Sequence, residues 1–168
     1  AVLESYRFTG QRVASINFGM NADDKVSADV AFMGQDRKKD AAQYFTAPAV
    51  AGGGDMLVTP SGLVVIDGVA SKVCTNFTLN INGNASVGKT VGSNTTPDVF
   101  MDMLDVGGQV SVYYENGVMD TYFDNEQIVS LINRLDDGIG GAFVFAMPVV
   151  KISGGGESGD KEIIRQYD

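Results

Sequence analysis

Alternation of apolar and polar residues is the most regular feature of this sequence, and it is clearest in residues 109–115. There Val110, Val112 and Tyr114 alternate with Gln109 and Ser111. A period of two is typical of a strand with one buried face. The sequence Asn-Gly at residues 116–117 ends this strand.

The period then changes from two to that of a helix. Met119, Tyr122 and Phe123 fall at i, i+3 and i+4, which predicts a short amphipathic helix that begins near Val118 and packs on the sheet through this stripe. Upstream, residues 92–96 are too rich in Gly, Ser, Asn and Thr for a regular element, and Pro97 disfavours helical geometry in the residue before it.

Similar patterns predict strands along most of the chain, at residues 13–20, 26–32, 63–67, 73–82, 142–152 and 161–167. In residues 26–32, Val26, Ala28, Val30 and Phe32 alternate with Ser27, Asp29 and Ala31, which predicts a hairpin partner for the strand at residues 13–20. Residues 127–134 fit a helix or a strand, and their β-branched side chains favour a strand. Asp67-Gly68 is a hairpin-turn signal, and Pro148 predicts an edge strand or a strand end. The total is eight or nine strands and one helix.

Three segments are predicted to be loops. Residues 36–62 contain the charged run 36–40 and a triple glycine, residues 84–107 are rich in polar residues, and a second triple glycine begins at residue 154. Loops as long as the first two are usually functional or partly disordered, although a surface loop without a specific role is common.

Composition narrows the classes of function. The 168 residues are 44% hydrophobic, which suits one domain with one core, and 21 glycines against four prolines favour an all-β protein with many turns. The net charge of −9 argues against gripping DNA or an anionic membrane. The complete lack of His removes the commonest general base and zinc ligand, so we expect no catalytic residue, no metal and no cofactor. Cys74 has no partner for a disulfide, and we interpret it as an inert core residue.

Residues 83–90 match the phosphate-loop pattern GxxxxGK[ST]. That loop works by aiming backbone N–H groups and a helix N-terminus at phosphates. The residues after Thr90 are poor helix formers, and no alternation of parallel strands and helices surrounds them. The match is therefore interpreted as a coincidence in a Gly-rich loop. The acidic clusters likewise lack calcium-loop spacing.

Several short segments stand out, spread in order over nearly the whole chain. They are residues 8–13 (FTGQRV), 32–34 (FMG), 91–98 (VGSNTTPD), 110–115 (VSVYYE) with the helix that follows, and 145–151 (FAMPVVK). Together they resemble one family of long-tailed bacteriophage tail tube (major tail) proteins. These segments are structural rather than catalytic. They indicate a fold and a role in assembly, not a reaction.

The resemblance implies a mainly β, antiparallel sandwich or half-barrel with one short α-helix packed on one side. Residues 1–168 would form this tail tube domain, as part of a longer chain with a further upstream domain. Copies would join into rings of sixfold or pseudo-sixfold symmetry, and the rings would stack into the conduit for DNA delivery. The expected partners are other copies, the tape measure, tail terminator and tail tip proteins, and viral DNA that passes without adhering. The protein of a phage or prophage would be made in the host cytoplasm and reside in the virion tail, without a membrane.

We expect particular residues to have particular roles in such a tube. The polar strand faces would line the lumen, where negative charge keeps DNA from adhering. The two long loops would bridge subunits or rings. The expected lumen residues are Asp29, Asn80 and Glu115, and the expected bridging residues are Arg37, Lys38, Lys39, Asn94, Asp98 and Asp102.

Two other classes remain open from the sequence. One is a carbohydrate- or receptor-binding β-sandwich module of a phage tail or a cell surface. The other is a hydrolase that uses two carboxylates, for which no residue pair stands out.

Overall fold

The computed structural model describes residues 4–22, 24–44, 57–114, 117–137, 141–158 and 164–168. These residues form fourteen strands and one helix. In chain order the elements are β1 Ser5–Thr9, β2 Arg12–Asn21, β3 Ser27–Met33, β4 Asp36–Asp40, β5 Val58–Ile66, β6 Val69–Ser71, β7 Cys74–Asn82, β8 Ser86–Val87, β9 Val99–Phe100, β10 Asp105–Tyr113, α1 Val118–Asp124, β11 Ile128–Asp136, β12 Ala142–Lys151, β13 Gly155–Ser158 and β14 Ile164–Tyr167.

The described strands form open antiparallel sheets. One has six strands in the order β13-β14-β10-β7-β2-β3, and another has four in the order β12-β11-β5-β6. Two-stranded sheets join β1 to β4 and β8 to β9. None of these sheets closes into a barrel, because each ends on two different strands. The predicted mainly β, antiparallel, sandwich-like class with one short helix is confirmed.

Contacts along the chain divide it into two compact units. The first contains Ala1–Asn17, Asp29–Gly54 and Asn80–Val106. The second contains Phe18–Ala28, Asp55–Leu79 and Gly107–Asp168. Within the described residues, most of the buried apolar side chains belong to the second unit.

The core of the second unit is built by strict alternation along β11. Val129, Leu131, Asn133 and Leu135 are all buried, whereas Ile132 is exposed. The other strands of this unit also bury apolar side chains, which are Met20 of β2, Phe77 and Leu79 of β7, and Val110 and Val112 of β10. Asn133 donates a hydrogen bond from Nδ2 to the Sδ atom of Met20, 3.2 Å away. The strand that the sequence favoured over a helix for residues 127–134 is confirmed as β11.

An aromatic cluster continues this core toward the edge strand β12. The ring centroid of Phe18 lies 4.7 Å from that of Phe145, and Phe143 lies 4.8 Å from Phe145, both with edge-to-face geometry. Such pairs add to the stability that area burial provides. Pro148 lies in β12, which ends the four-stranded sheet, so the predicted edge position is confirmed.

The turn and helix predictions are also confirmed. Asp67 and Gly68 link β5 to β6 with positive φ angles of 48° and 79°, as a type I′ hairpin requires. The helix begins at Val118 as the change of period indicated.

Three predictions of irregular structure are wrong. Residues 36–40 form β4 instead of the start of a loop, residues 84–107 contain β8, β9 and the first residues of β10, and β13 includes two glycines of the second triple glycine. β4 is polar and β13 is Gly-rich, while β8 and β9 have two residues each, so these four strands carry little local signal of their own and depend on their partner strands. Residues 45–56, also within the first predicted loop, lie outside the described residues.

The predicted strand at residues 26–32 is present as β3, next to β2, and its apolar side chains are exposed. Val30 is 42% exposed and Phe32 is 59% exposed. β3 ends the six-stranded sheet, and six of its seven residues are exposed. The apolar side of this strand therefore has no cover among the described residues.

Candidate assembly surfaces

The two-stranded sheet of β1 and β4 presents a face with aromatic and cationic side chains. In its register Tyr6 lies opposite Lys39 and Phe8 opposite Arg37, so alternation places all four on one side. Tyr6 is 51% and Phe8 55% exposed. The guanidinium of Arg37 lies 5.3 Å from the centroid of the Tyr6 ring. These four residues are called the aromatic–cationic face below.

The opposite side of the same sheet carries a different set of residues. Arg7 and Lys38 are cross-strand partners there, and Arg7 Nε lies 3.7 Å from Asp40 Oδ2. The sequence placed Arg37, Lys38 and Lys39 in a loop. The structure places them on a strand and separates Lys38 from the other two. In the sequence, the alternation of Tyr6 and Phe8 with Arg7 could have predicted β1, the strand with which β4 pairs.

A second exposed apolar surface runs along residues 100–104. Phe100, Met101, Met103 and Leu104 are all exposed, Met103 to 81% and Leu104 to 64%. They are called the methionine strip below.

The backbone of the strip is held in place by hydrogen bonds. Asp102 N donates to Gly83 O at 3.2 Å, and Asn84 Nδ2 donates to Met103 O at 3.0 Å. The Asp102 carboxylate also accepts a hydrogen bond from Met103 N at 2.8 Å. The apolar side chains are thus presented to solvent by an ordered segment.

The other predicted bridging residues differ in environment. Asn94 is exposed. Asp98 is half-buried and contacts Arg12 Nη2 at 3.4 Å and Gln35 Nε2 at 3.3 Å. Gln35 Nε2 also donates to Pro97 O at 2.9 Å. Asp98 therefore fastens its own loop inside the first unit.

The predicted lumen residues lie on polar positions of the sheet where they are described. Asn80 is exposed on β7 and donates a hydrogen bond to the Asn17 side chain of β2. Asp29 is exposed on β3. Glu115 lies outside the described residues.

The carboxylate of Asp120 connects helix α1 to the six-stranded sheet. Asp120, in its first turn, accepts hydrogen bonds from Arg165 and, at 2.7 Å, from the Tyr167 hydroxyl, both on β14. The hydrogen bond from Tyr167, together with the Arg165 guanidinium, lowers the pKa of Asp120. Burial, reinforced by Asp120, raises the pKa of Tyr167 to about 12.

The predicted apolar stripe of the helix is partly buried. Met119 and Tyr122 are half-buried and line a cleft of about 440 Å³ that Ile66 and Val112 also line. Phe123 is 41% exposed. No helix residue is fully buried, and Gly117 at the N-cap provides no side-chain cap.

The phosphate-loop match has no phosphate-loop geometry. Residues 83–90 include the two-residue strand β8. Lys89 and Thr90 are exposed, and no helix follows them directly. The next described helix is α1, which begins at residue 118. The loop therefore lacks the helix N-terminus that holds phosphate.

The remaining candidates for chemistry are weak. Burial raises the pKa of the half-buried Cys74 thiol to about 11, which keeps it protonated and poorly nucleophilic near neutral pH. In the part of the chain that the structure describes, no group of three or more His, Cys, Asp or Glu side chains is arranged to hold a metal ion. No helix among the described residues is long and apolar enough to span a membrane.

A family model described as phage tail tube protein matches residues 4–166 of the chain, almost its full length. No curated protein matches the sequence at a significant level.

Proposed function

Because the chain belongs to the phage tail tube protein family, we propose that its copies form rings that stack into the conduit for DNA delivery. Membership of the family makes the chain a structural component of the virion tail that assembles with itself and with other tail proteins. We propose in addition that the copies form rings, that DNA passes through them, and that the protein has no catalytic role. The tape measure, terminator and tip proteins are the proposed further partners, and the host cytoplasm the proposed place of synthesis.

The observation that carries the proposal is the state of the sheet edges. β3 ends the six-stranded sheet and exposes Val30 and Phe32, while β12 ends the four-stranded sheet and exposes Phe143 and Val149. An exposed apolar edge strand is a hazard for a monomer because it templates pairing with other chains. A ring removes that hazard, since each edge is continued by a strand of the neighbouring copy.

The charge of the chain supports the proposal that DNA passes through the ring without adhering to it. The chain carries a net charge of −9, and Asp29, Asn17 and Asn80 are polar residues on strands of the six-stranded sheet. We propose that these polar residues line the lumen together with Glu115, which the alternation of its strand places on the polar face. A wall that lacks clustered cations does not release counterions from DNA, so DNA passes without adhering.

Assembly is tested by negative-stain microscopy and sedimentation velocity over a range of protein concentrations. We expect rings or tubes from the wild-type protein and monomers from Phe32→Lys, because a lysine opposes edge-to-edge pairing. Val91→Lys is the matched control, since Val91 is fully exposed in a loop. A wild-type protein that stays monomeric at high concentration, above all one that binds glycans, would overturn the proposal.

The conduit is tested separately in phage particles. Asp29→Lys should slow genome delivery while tubes of normal appearance form, and Asp29→Asn should have a smaller effect because it removes charge without reversing it. Delivery at the wild-type rate by Asp29→Lys particles would contradict the placement of Asp29 in the lumen.

A further inference from the structure

We infer that the methionine strip of one copy binds the aromatic–cationic face of a neighbouring copy. The inference rests on the proposed function, because it names two surfaces through which copies assemble. Both surfaces belong to the first unit, and they are different patches. The contact is therefore heterologous, the type that builds closed rings or continuous stacks.

Most large apolar side chains in the described part of the first unit are not fully buried. Among its described residues Val99 is the one fully buried large hydrophobic side chain, while Tyr6, Phe8, Met103 and Leu104 are all more than half exposed. An isolated two-stranded sheet such as β1–β4 is marginally stable at best in water. Exposed apolar patches on ordered elements mark interaction sites more often than chance.

The two surfaces are complementary in charge. The methionine strip is interrupted by Asp102 and followed by Asp105, both exposed. The aromatic–cationic face carries Arg37 and Lys39, in a chain with only 12 Lys and Arg against 21 Asp and Glu. Lys39 contacts Glu4 at 2.8 Å in an exposed pair, which is weak enough to be exchanged for a partner across an interface.

They are also complementary in apolar chemistry. Methionine side chains adapt to irregular surfaces, and their sulfur atoms interact favourably with aromatic rings such as those of Tyr6 and Phe8. Both surfaces are already ordered, one by a β-ladder and the other by the hydrogen bonds from Asp102 N and Asn84 Nδ2. Little conformational entropy is then lost on association.

Aromatic rings with cations are also the chemistry that binds single-stranded nucleic acid. The strongly acidic chain and the acidic apolar strip favour a second copy as the occupant. Binding of DNA to this face is an outcome that the experiment below distinguishes.

The test uses two charge-reversed variants of the protein. The first carries Arg37→Glu and Lys39→Glu, and the second carries Asp102→Lys and Asp105→Lys. Alone, each variant places like charges at every contact, so we expect the concentration needed for assembly to rise by at least about tenfold. Mixed in equal amounts, each variant meets the complementary surface of the other, and assembly should return. Sedimentation velocity and negative-stain microscopy measure both effects.

Lys38→Glu is the matched control, because it reverses the same charge on the same strand but on the opposite side of the sheet. We expect it to assemble like the wild type. Restoration in the mixture also shows that both variants fold. If both variants assemble as the wild type does, or if the mixture stays unassembled, the inference is wrong while ring formation stands. A wild-type protein that never assembles overturns both. Assembly that survives Arg37→Glu/Lys39→Glu while binding of single-stranded DNA is lost would assign the face to DNA.

Discussion

Replacing Asp120 with Asn tests whether a single carboxylate holds helix α1 on the sheet. The helix has seven residues, none fully buried, and a helix of this length is not stable alone. Asn keeps the size of the side chain but loses its charge. The hydrogen bonds from Arg165 and from the Tyr167 hydroxyl then become neutral or are lost.

The expected loss follows from the strength of these bonds. A hydrogen bond to a charged group contributes about 1.5–3 kcal/mol and a neutral one about 0.5–1.5 kcal/mol, so two bonds lose about 2–3 kcal/mol together. The side chains of Asp120 and Arg165 are 29% and 25% exposed, and solvent screening reduces the expected loss to about 1–2 kcal/mol. For a chain of this size that corresponds to a fall in Tm of about 2–8 °C.

Thermal unfolding followed by circular dichroism measures the global effect, and hydrogen exchange of the α1 amides measures the local one. Glu126→Gln is the control, since it removes the same charge from an exposed pair with Lys151, in which Glu126 is 76% exposed. We expect the control to change Tm little. Equal losses in the two variants, or wild-type exchange of α1 in Asp120→Asn, would refute the reasoning.

The pH dependence gives a second check on the same carboxylate. The pKa of Asp120 is lowered in the folded protein, so its contribution is present above the usual Asp pKa and is lost as pH falls through the folded value. The difference in stability between wild type and Asp120→Asn should therefore shrink under acidic conditions. The pKa of Tyr167 is raised to about 12, so its contribution is present below pH 10 and is lost as pH rises through about 12. Absorbance titration should place this pKa lower in Asp120→Asn.

Three further predictions concern the core, the sheet and the thiol. Leu135→Ala, at a position only 2% exposed, should lower the free energy of unfolding by about 2–5 kcal/mol in urea titrations, and a loss below about 1 kcal/mol would contradict its place in the core. Gly108→Ala should destabilise the protein far more than Gly107→Ala, because a Cβ at residue 108 would lie 2.3 Å from Thr78 O, whereas one at residue 107 meets no atom within 4 Å; equal melting temperatures would refute this. Cys74, with its pKa raised to about 11, should react with a thiol reagent at pH 8 far more slowly than a free cysteine does, and rapid labelling of the folded protein would show that the thiol is not shielded.

The candidate surfaces were only partly predictable. The charged run that contains Arg37 and Lys39 stood out in the sequence, but its strand did not, because a short polar strand acquires its conformation from the partner with which it pairs. The methionine strip lay in a predicted loop, and nothing local indicates that hydrogen bonds from Asp102 N and Asn84 Nδ2 order it.

The sequence by itself determined the elements whose signal is local. Its period of two predicted the long strands, its change of period predicted α1, and Asp67-Gly68 predicted a hairpin turn, because each depends on neighbouring residues alone. Tertiary structure decided which faces are buried. Alternation marks Val30 and Phe32 as one apolar side of β3, but it does not say whether the same chain covers that side. Burial depends on what lies opposite, so Asn133 is enclosed in the core while Phe32 faces solvent.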